Sequence, residues 1–417
     1  MAIDQKELGR RIRRVREAWG MTQEEVAHYL GIPRSSVSQI ENGKRSVSGI
    51  ELSRLAYLFG KDIRSFVAKE ASDEEDPLVG LFSLYPELSQ KDVVESVRRC
   101  IALARELTNL ERLLDINPNI LPTYTLPPPR RKWEAIQQGE RIAAEERRRL
   151  GLGLAPLPDV AALLELQGLR TAQVTLPEDI SGVMLFEPQI GFLVLVNCEH
   201  HILNQRFSYV HEYCHVLVDR DQGKLVSRSS ERDKLVEVRA NAFAASFLMP
   251  PEAVRQFLYA LGKGCSSRME PEMLGEEGPV EARVQAGPET QDIQLYDVVQ
   301  LAHYFGLNRK AACYRLQSLQ LITDSELETL LEQDRAGQGH ELEKLLGLAE
   351  PDHEAQRNEP PSRLLGLALE AFRQEKISQS KLLELAAMVD VSPTQLERAI
   401  VEISLDHENA DLLLPET

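Results

Sequence analysis

The feature that most constrains the fold is His211-Glu212-Tyr213-Cys214-His215, in which two histidines stand four residues apart and a glutamate follows the first. On a helix, residues at i and i+4 share one face, so both imidazoles can bind one metal ion. Glu212 then points toward the water held by that ion and can accept its proton. The spacing predicts a helix that carries a metal centre, with Glu212 as the catalytic base.

This motif supplies two metal ligands, and a catalytic zinc site needs a third. The five cysteines form no CxxC pair, which argues against a cysteine-only zinc site and a disulfide scaffold. Scattered, unpaired cysteines suggest reduced thiols and a cytoplasmic protein. A buried helix cysteine is the favoured interpretation of Cys214, and a thiolate ligand is the alternative. His200 and His201 are interpreted as solvated loop residues, with an electrostatic role at the site as the alternative.

The charge of the chain is divided unevenly along its length. The 417 residues have a formal net charge of −17, whereas residues 1–70 hold 13 basic and 9 acidic side chains. The acidic remainder of the chain would be repelled by phosphates. Any contact with nucleic acid is therefore expected in the basic head, residues 1–70. No apolar run is long enough for a membrane helix, and the charged start of the chain is unlike a secretory signal.

A second local signature lies in this basic head. Thr22 and Glu25 form a capping box, Gly31 ends the helix that they start, and Pro33 can begin the next helix at its first turn. Two short helices around a glycine-containing turn predict a helix-turn-helix. The residues expected to face inward at helical spacing are Val26, Ala27, Leu30, Val37 and Ile40.

Residues 4–67 resemble the lambda-repressor/Cro-like (XRE) family of DNA-binding domains. The matching segments are Leu8-Gly-Arg-Arg-Ile-Arg13, Met21-Thr-Gln-Glu-Glu-Val-Ala27 and Val37-Ser-Gln-Ile-Glu-Asn-Gly-Lys-Arg45. The resemblance implies a homodimer on operator DNA, with the second helix of the motif in the major groove. The residues expected near base edges are Arg34, Ser35, Ser38 and Gln39, and those expected at phosphates are Gln23, Asn42, Lys44 and Arg45. A small helical domain that mediates dimers or binds protein is the alternative.

A third segment, Glu237-Val-Arg-Ala-Asn-Ala-Phe-Ala-Ala-Ser-Phe-Leu-Met-Pro250, follows the histidine motif. Together the two resemble the ImmA/IrrE metallopeptidases, whose members cleave XRE-type repressors. The resemblance covers roughly residues 133–322 and implies that Glu237 is the third ligand beside His211 and His215. It also implies that a strand such as 192–197 lies beside the site and can pair with extended substrate backbone. Zinc suits two histidines and a glutamate best, and manganese is compatible with the carboxylate.

The rest of the chain is organised around these two regions. Strands are expected at 170–174, 182–186 and 192–197 and one long helix at 91–114, interpreted as core or as a dimer brace. Residues 295–322 are expected to pack against the peptidase, and the alternative is that they form a second DNA-binding helix-turn-helix. Residues 72–77, 117–129 and 263–292 are expected to be flexible joints or linkers, and 334–361 a polar stretch before a helical segment at 362–405.

The expected fold is multidomain and mostly α, with a five-helix XRE domain, a zincin-like α+β peptidase core and a helical C-terminal module. The expected boundaries are 1–70 for the DNA-binding domain, 71–132 for a connector, 133–332 for the peptidase with its helical tail and 333–417 for a linker and module. The expected function is a cytoplasmic regulator whose zinc endopeptidase cleaves an XRE-type repressor in a stress or mobile-element response. The alternative is a transcription factor whose metal site is vestigial or senses a ligand.

The helix-turn-helix assignment generates a test on operator DNA. Arg34→Ala and Gln39→Ala should relax sequence preference by about 1–3 kcal/mol each, because each side chain can form a bidentate pair with a base edge. Arg45→Ala should weaken binding to all sequences by a similar factor, because phosphates carry no sequence information. Gel-shift titrations of specific and scrambled DNA at one salt concentration measure both effects. A uniform loss for Arg34→Ala would contradict the base-reading role.

Overall fold

The computed structural model of the protein describes residues 4–19, 21–59, 63–67, 81–82, 84–116, 121–263, 292–348 and 362–396. These residues form seventeen helices and one four-stranded sheet, which confirms the mostly helical multidomain architecture. No helix among them is long and apolar enough to cross a membrane. The acidic segment 72–77 and almost all of 263–292 lie outside the described residues.

Five helices form the N-terminal head: α1 (Gln5–Ala18), α2 (Gln23–Leu30), α3 (Arg34–Glu41), α4 (Gly49–Leu58) and α5 (Ile63–Val67). The predicted capping box is present, and Gly31 ends α2 with a φ of 68°, which a residue without Cβ adopts at little cost. Pro33 is the N-cap of α3, so that helix begins at Arg34, one residue later than predicted. The predicted apolar residues are buried in the core of the head.

The connector and the first half of the central domain contain α6 (Lys91–Leu113), α7 (Lys132–Arg149), α8 (Val160–Leu166), β1 (Arg170–Val174), β2 (Ile180–Glu187), β3 (Gly191–Asn197) and α9 (Ile202–Val218). The second half contains β4 (Lys224–Arg228), α10 (Leu235–Leu248), α11 (Pro251–Ala260), α12 (Leu295–Phe305), α13 (Arg309–Ser318), α14 (Asp324–Arg335) and α15 (Gln338–Leu345). The C-terminal module contains α16 (Ser362–Arg373) and α17 (Gln379–Met388).

The strand order in the sheet is β1-β3-β2-β4. β3 pairs with β1 in parallel and with β2 antiparallel, and β4 pairs antiparallel with the other side of β2. The expectation that the strand at 192–197 could pair with substrate is therefore wrong, because neighbours already occupy both edges of β3. β4, which the sequence did not predict, is the edge strand on the other side of β2.

Both faces of the sheet are buried, and successive residues of each strand point to opposite faces. Met184, Val194 and Val196 face the core that contains α9. Val183 and Leu195 face a second core, which α6 and the helices of the head complete. The helix that carries the histidine motif and the DNA-binding head therefore lie on opposite sides of one sheet.

Helix α6 joins the head to the sheet through its apolar stripe. Its buried residues Val93, Val97, Ile101 and Ala104 belong to the same core as the head, so the stripe is core within one chain. Its Arg98 guanidinium lies 4.2 Å from the ring centroid of Trp19 at the end of α1. The head is packed against the connector.

Residues 117–129, the Pro-rich segment before α7, were expected to be a flexible joint, and the structure differs over 121–129. The amide of Tyr124 donates to the carbonyl of Leu217 at 2.9 Å, and the Tyr124 hydroxyl donates to Glu146 at 2.7 Å. Arg220 donates to the carbonyl of Pro122 at 2.6 Å, because proline retains an acceptor although it has no donor. Residues 121–129 are therefore bound to the central domain.

The helical tail packs against the central domain as predicted, since α12 and α13 contribute to the core around α9. The stretch 334–361 is not simply a polar linker, because α15 forms within it. Arg309 on α13 binds both Asp334 and Glu343, and Leu342 packs against the core. Charge pairing across three helices thus orders a segment with few apolar residues.

The C-terminal module packs on the second half of α6. Leu110 shares a small core with Leu364, Ala368, Leu382 and Leu385. The helical prediction for this module is confirmed over α16 and α17. Residues beyond 396 lie outside the described part of the chain.

A buried carboxylate connects three parts of the molecule. Glu111 on α6 is 3% exposed and accepts hydrogen bonds from Arg170 on β1 and from Arg363 on α16. The Arg363 bond is 2.8 Å long, and Arg170 also donates to Thr108. One side chain therefore joins the connector, the sheet and the C-terminal module.

Removing that carboxylate should destabilise the chain strongly. Glu111→Ala leaves two guanidinium groups without their partner, at a cost of about 3–5 kcal/mol for a broken buried pair. Glu106→Ala is the matched control: on the same helix it pairs with Lys381 of the same module at 3.1 Å, but the pair is partly exposed and should be worth under about 1 kcal/mol. Urea unfolding of the full chain, followed by circular dichroism, compares them. Equal losses in the free energy of unfolding for the two variants would contradict a special role of Glu111.

Candidate metal centre and nucleic-acid interface

The histidine motif lies in the middle of α9, as its spacing predicts. His201 caps the helix by accepting a hydrogen bond from the amide of Leu203. Gln205 fixes the turn from β3 by donating to the carbonyls of Cys198 and His200. Both His200 and His201 therefore have structural contacts in the loop that positions α9.

His211, His215 and Glu237 come together although they lie on two helices. The Nε2 atoms of the histidines are 3.2 Å apart, and Glu237 on α10 places Oε2 3.1 Å from Nε2 of His211. The other Glu237 oxygen is 3.5 Å from Nε2 of His215. The three residues are buried, and one ligand atom of each lies within 4.8 Å of the others. Two imidazoles and a carboxylate are a donor set that suits zinc.

The other ring nitrogen of each histidine is oriented by an oxygen acceptor. Nδ1 of His211 lies 3.0 Å from Oδ1 of Asn241, and Nδ1 of His215 lies 2.8 Å from Asp219. These acceptors favour a proton on Nδ1, which leaves the Nε2 lone pairs directed at the centre. Burial works against the Asp219 charge, but His215 and Arg239 lower the pKa of that carboxyl below its usual range. Arg239 donates to Asp219 at 2.6 Å.

Glu212 is fully buried beside this cluster. Burial raises the pKa of its carboxyl above the ordinary range, and the neighbouring histidines oppose that shift. Neither of its oxygens has a hydrogen bond of good geometry among the described residues, and the Ser227 hydroxyl on β4, which lies near enough to oppose the rise of the Glu212 pKa, has none either. Unsatisfied buried oxygens are costly. The arrangement therefore fits a site in which a bound ion and its water complete the polar contacts of Glu212.

Gly182 on β2 makes room for this carboxylate. A Cβ at this position would stand 2.5 Å from Oε1 of Glu212 and 2.9 Å from its Cγ. The register between β2 and β4 also shifts at this point, between Ile180 and Gly182. The sequence offered no local signal for the pairing of Gly182 with Glu212.

The residues between Glu212 and His215 face the core. The Tyr213 hydroxyl donates to Glu146 at 2.6 Å, and its ring packs edge-on against Phe243. Cys214 is fully buried, and burial raises the pKa of its thiol. A buried neutral thiol agrees with the structural interpretation of Cys214.

The metal cluster opens into a cleft of about 1430 Å³. One wall comes from α7, α9, α10 and the end of β4, and the other from α12, α13, α14 and α15. The helical tail therefore forms part of the cleft. A volume of this size accommodates an extended peptide segment beside His211 and Glu237, which line the cleft.

The structure divides the predicted DNA-contacting residues into two groups. Arg34, Ser35, Gln39 and Lys44 are exposed, and Ser38 is half-buried on the same helix as Arg34. The remaining three predicted residues have contacts within the head: Gln23 donates to Glu41, Asn42 to the carbonyl of Ser38 and Arg45 to Glu51. The N-terminal face of α3 is thus the part available for base edges.

Several supporting residues were missed by reasoning from sequence. Asp219 stands four residues after His215, so continuing the helical spacing would have identified it. Arg239, Ser227 and Gly182 gave no comparable signal, because tertiary packing alone brings them to the site. In the head, the buried pair of Arg16 and Glu41, 2.6 Å apart, joins α1 to α3 and was also missed.

Two family models match the chain. Residues 12–66 match the helix-turn-helix family, and residues 168–265 match the IrrE N-terminal-like domain. These matches confirm the predicted fusion of an XRE-type helix-turn-helix with an ImmA/IrrE-like metallopeptidase domain. They support a DNA-binding regulator that also carries a peptidase domain.

No curated protein matches the chain significantly. Among solved structures, the chain is 13% identical to Bacillus thuringiensis PlcR, solved in complex with the peptide PapR7 and DNA. The alignment covers 99% of this chain and 100% of that chain, with a TM-score of 0.15. A score this low supports no inference about fold or ligands.

The close approach at Gly182 generates a prediction about the site. Gly182→Ala should lower the free energy of unfolding by about 1–3 kcal/mol, because the new methyl group overpacks the space beside Glu212. Gly366→Ala on α16 is the control, since its Cβ would meet nothing within 4 Å. Urea unfolding of both variants measures the difference. An unchanged stability for Gly182→Ala would show that the Glu212 side chain moves freely.

Proposed function

We propose that this fusion of a helix-turn-helix domain with an IrrE-like peptidase domain is a DNA-binding transcriptional regulator whose zinc-dependent endopeptidase cleaves an XRE-type repressor. The proposal includes a role in a stress or mobile-element response. The observation that carries it is the convergence of His211, His215 and Glu237 beside the buried, unsatisfied carboxylate of Glu212. A catalytic zinc site requires three such ligands and a neighbouring base.

In this proposal His211, His215 and Glu237 hold the ion, and Asn241 and Asp219 keep both imidazoles in the ligating tautomer. The bound ion contributes Lewis acidity, which acidifies water and polarises a carbonyl. Zinc is the proposed metal because the ligand set is two histidines and one carboxylate, and manganese is the second choice.

Glu212 moves the proton in peptide hydrolysis. One of its carboxylate oxygens accepts a proton from the attacking water and then returns it to the nitrogen of the leaving amine. Gly182 and Ser227 limit the space around the carboxylate, which positions its oxygens. Glu212 lies inside the protein, next to His211 and Ser227, which line the cleft through which a substrate would approach.

The proposed site for the substrate backbone is the outer edge of β4. Among the described residues this strand pairs with β2 on one side only, and its Ser227 and Arg228 line the cleft. An extended segment can add to such an edge through main-chain hydrogen bonds. The substrate would thus be bound as a strand in front of Glu212.

The head supplies the second half of the proposed function. It would bind an operator as a homodimer, with Arg34, Ser35, Ser38 and Gln39 at base edges. Because α6 packs the head and the sheet into one core, the peptidase would be held in a fixed position relative to the bound DNA. A repressor that shares the operator or pairs with the head would meet the cleft at high effective concentration.

Purified full-length protein and an XRE-type repressor encoded beside it test this function. Glu212→Gln should retain about one zinc per chain and lose cleavage, because it keeps the ligands and removes the base. Glu237→Ala should lose both zinc and cleavage. Elemental analysis and mass spectrometry of the repressor fragments measure the two properties separately.

Two outcomes would contradict parts of the proposal. Full zinc occupancy in Glu237→Ala would show that Glu237 is not the third ligand. Cleavage at the wild-type rate by Glu212→Gln would exclude Glu212 as the base. If the wild-type protein binds zinc and operator DNA but leaves the repressor intact, the metal site belongs to a regulator without proteolysis.

A further inference from the structure

The acidic side chains that line the cleft have ion-pair partners more often than the basic ones do. Glu140 pairs with Arg315 at 2.8 Å, and Arg309 binds both Asp334 and Glu343. The acidic side chains of the walls are therefore largely neutralised by cations of the chain itself. The ligand Glu237 likewise contacts His211 and His215.

Three cations on the rim of the cleft have no such partner among the described residues. Lys132 begins α7, Arg232 follows β4, and Lys310 lies in the first turn of α13. All three are exposed, and none forms a hydrogen bond or an ion pair among the described residues. Asp233 is the single lining acid, outside the metal centre, that is similarly unpaired in the described part of the chain.

The position of these cations matters because the chain as a whole is acidic, with a net charge of −17. Lys132 and Arg232 lie on the wall that carries the metal cluster, and Lys310 lies on the wall formed by the helical tail. Charges of one sign around a concave surface focus their field into it. A segment lying in the cleft would meet positive groups contributed by both walls.

We propose that the cleft selects an acidic peptide segment, through Lys132, Arg232 and Lys310. This inference rests on the proposed peptidase function, since it names the class of segment presented to Glu212. A peptide is the favoured occupant because the free edge of β4 lies in the same cleft and offers main-chain hydrogen bonds. Aspartate or glutamate on both sides of the bound region would complement the two walls.

The test measures binding separately from turnover. The probes are dye-labelled peptides of equal length with four aspartates, four serines or four lysines around a common apolar centre. Full-length Glu212→Gln protein loaded with zinc is titrated with each peptide, and fluorescence anisotropy reports the Kd. The acidic peptide should bind about tenfold more tightly than the basic one, given three exposed charge pairs. The difference should shrink at high salt.

Charge reversal on the rim identifies the residues responsible. The triple variant Lys132→Glu, Arg232→Glu, Lys310→Glu should abolish or invert the preference. Folding is expected to be retained, because two of the changes place glutamate at a helix N-terminus, where it is favoured. The matched control is Arg148→Glu, Arg335→Glu, Lys344→Glu, three exposed cations that form no ion pair in the described structure and lie outside the cleft. It alters net charge equally and leaves the basic head intact.

The results separate this inference from the proposed function. Equal affinity for the three peptides, or the same loss in both triple variants, would overturn the acidic selection. Both the acidic selection and the peptidase function would be supported by two results together. The preference for the acidic peptide would have to depend on the rim cations, and the wild-type protein would have to cleave that peptide. The same preference without cleavage would support the binding surface and count against proteolysis.

Discussion

Burial of both faces of the four-stranded sheet is the constraint on which the rest of this structure depends. One face packs against α9 and holds the histidine motif, and the other packs against α6 and the head. Alternating side chains of the same strands serve the two cores, because successive residues point to opposite faces. A sheet exposed on one side would lose the shared core that joins the DNA-binding part to the metal centre.

This shared core constrains how the helix-turn-helix domain and the peptidase-like domain are arranged. A flexible tether would only raise the local concentration of the peptidase, whereas the packed α6 also fixes its orientation. The contact of Arg98 with Trp19 and the bonds of Glu111 to Arg170 and Arg363 lie along the same helix. Helix α6 therefore contacts the head, the sheet and the C-terminal module.

Local patterns predicted much of the fold and most of the candidate centre. The capping box at Thr22, the strands near β1, β2 and β3 and the spacing of His211 and His215 depend on neighbouring residues, and the structure contains them. The errors concern relations between distant segments. α15 is held by Arg309 from another helix, and residues 121–129 are held by acceptors and donors of the central domain. Neither contact can be inferred from composition.

The sequence by itself determined which residues could bind a metal and which helix could face DNA, because helical periodicity fixes the relative direction of side chains four residues apart. For the described residues, only the tertiary structure decided which strand has a free edge, which cations in the cleft are unpaired and that Gly182 faces Glu212. These properties depend on the order of strands and on packing between elements far apart in the chain. β3 has the more apolar sequence, yet it lies inside the sheet because β1 and β2 pair with its two sides. Among the described residues, β4 pairs only with β2 and is an edge strand whose Ser227 and Arg228 line the cleft.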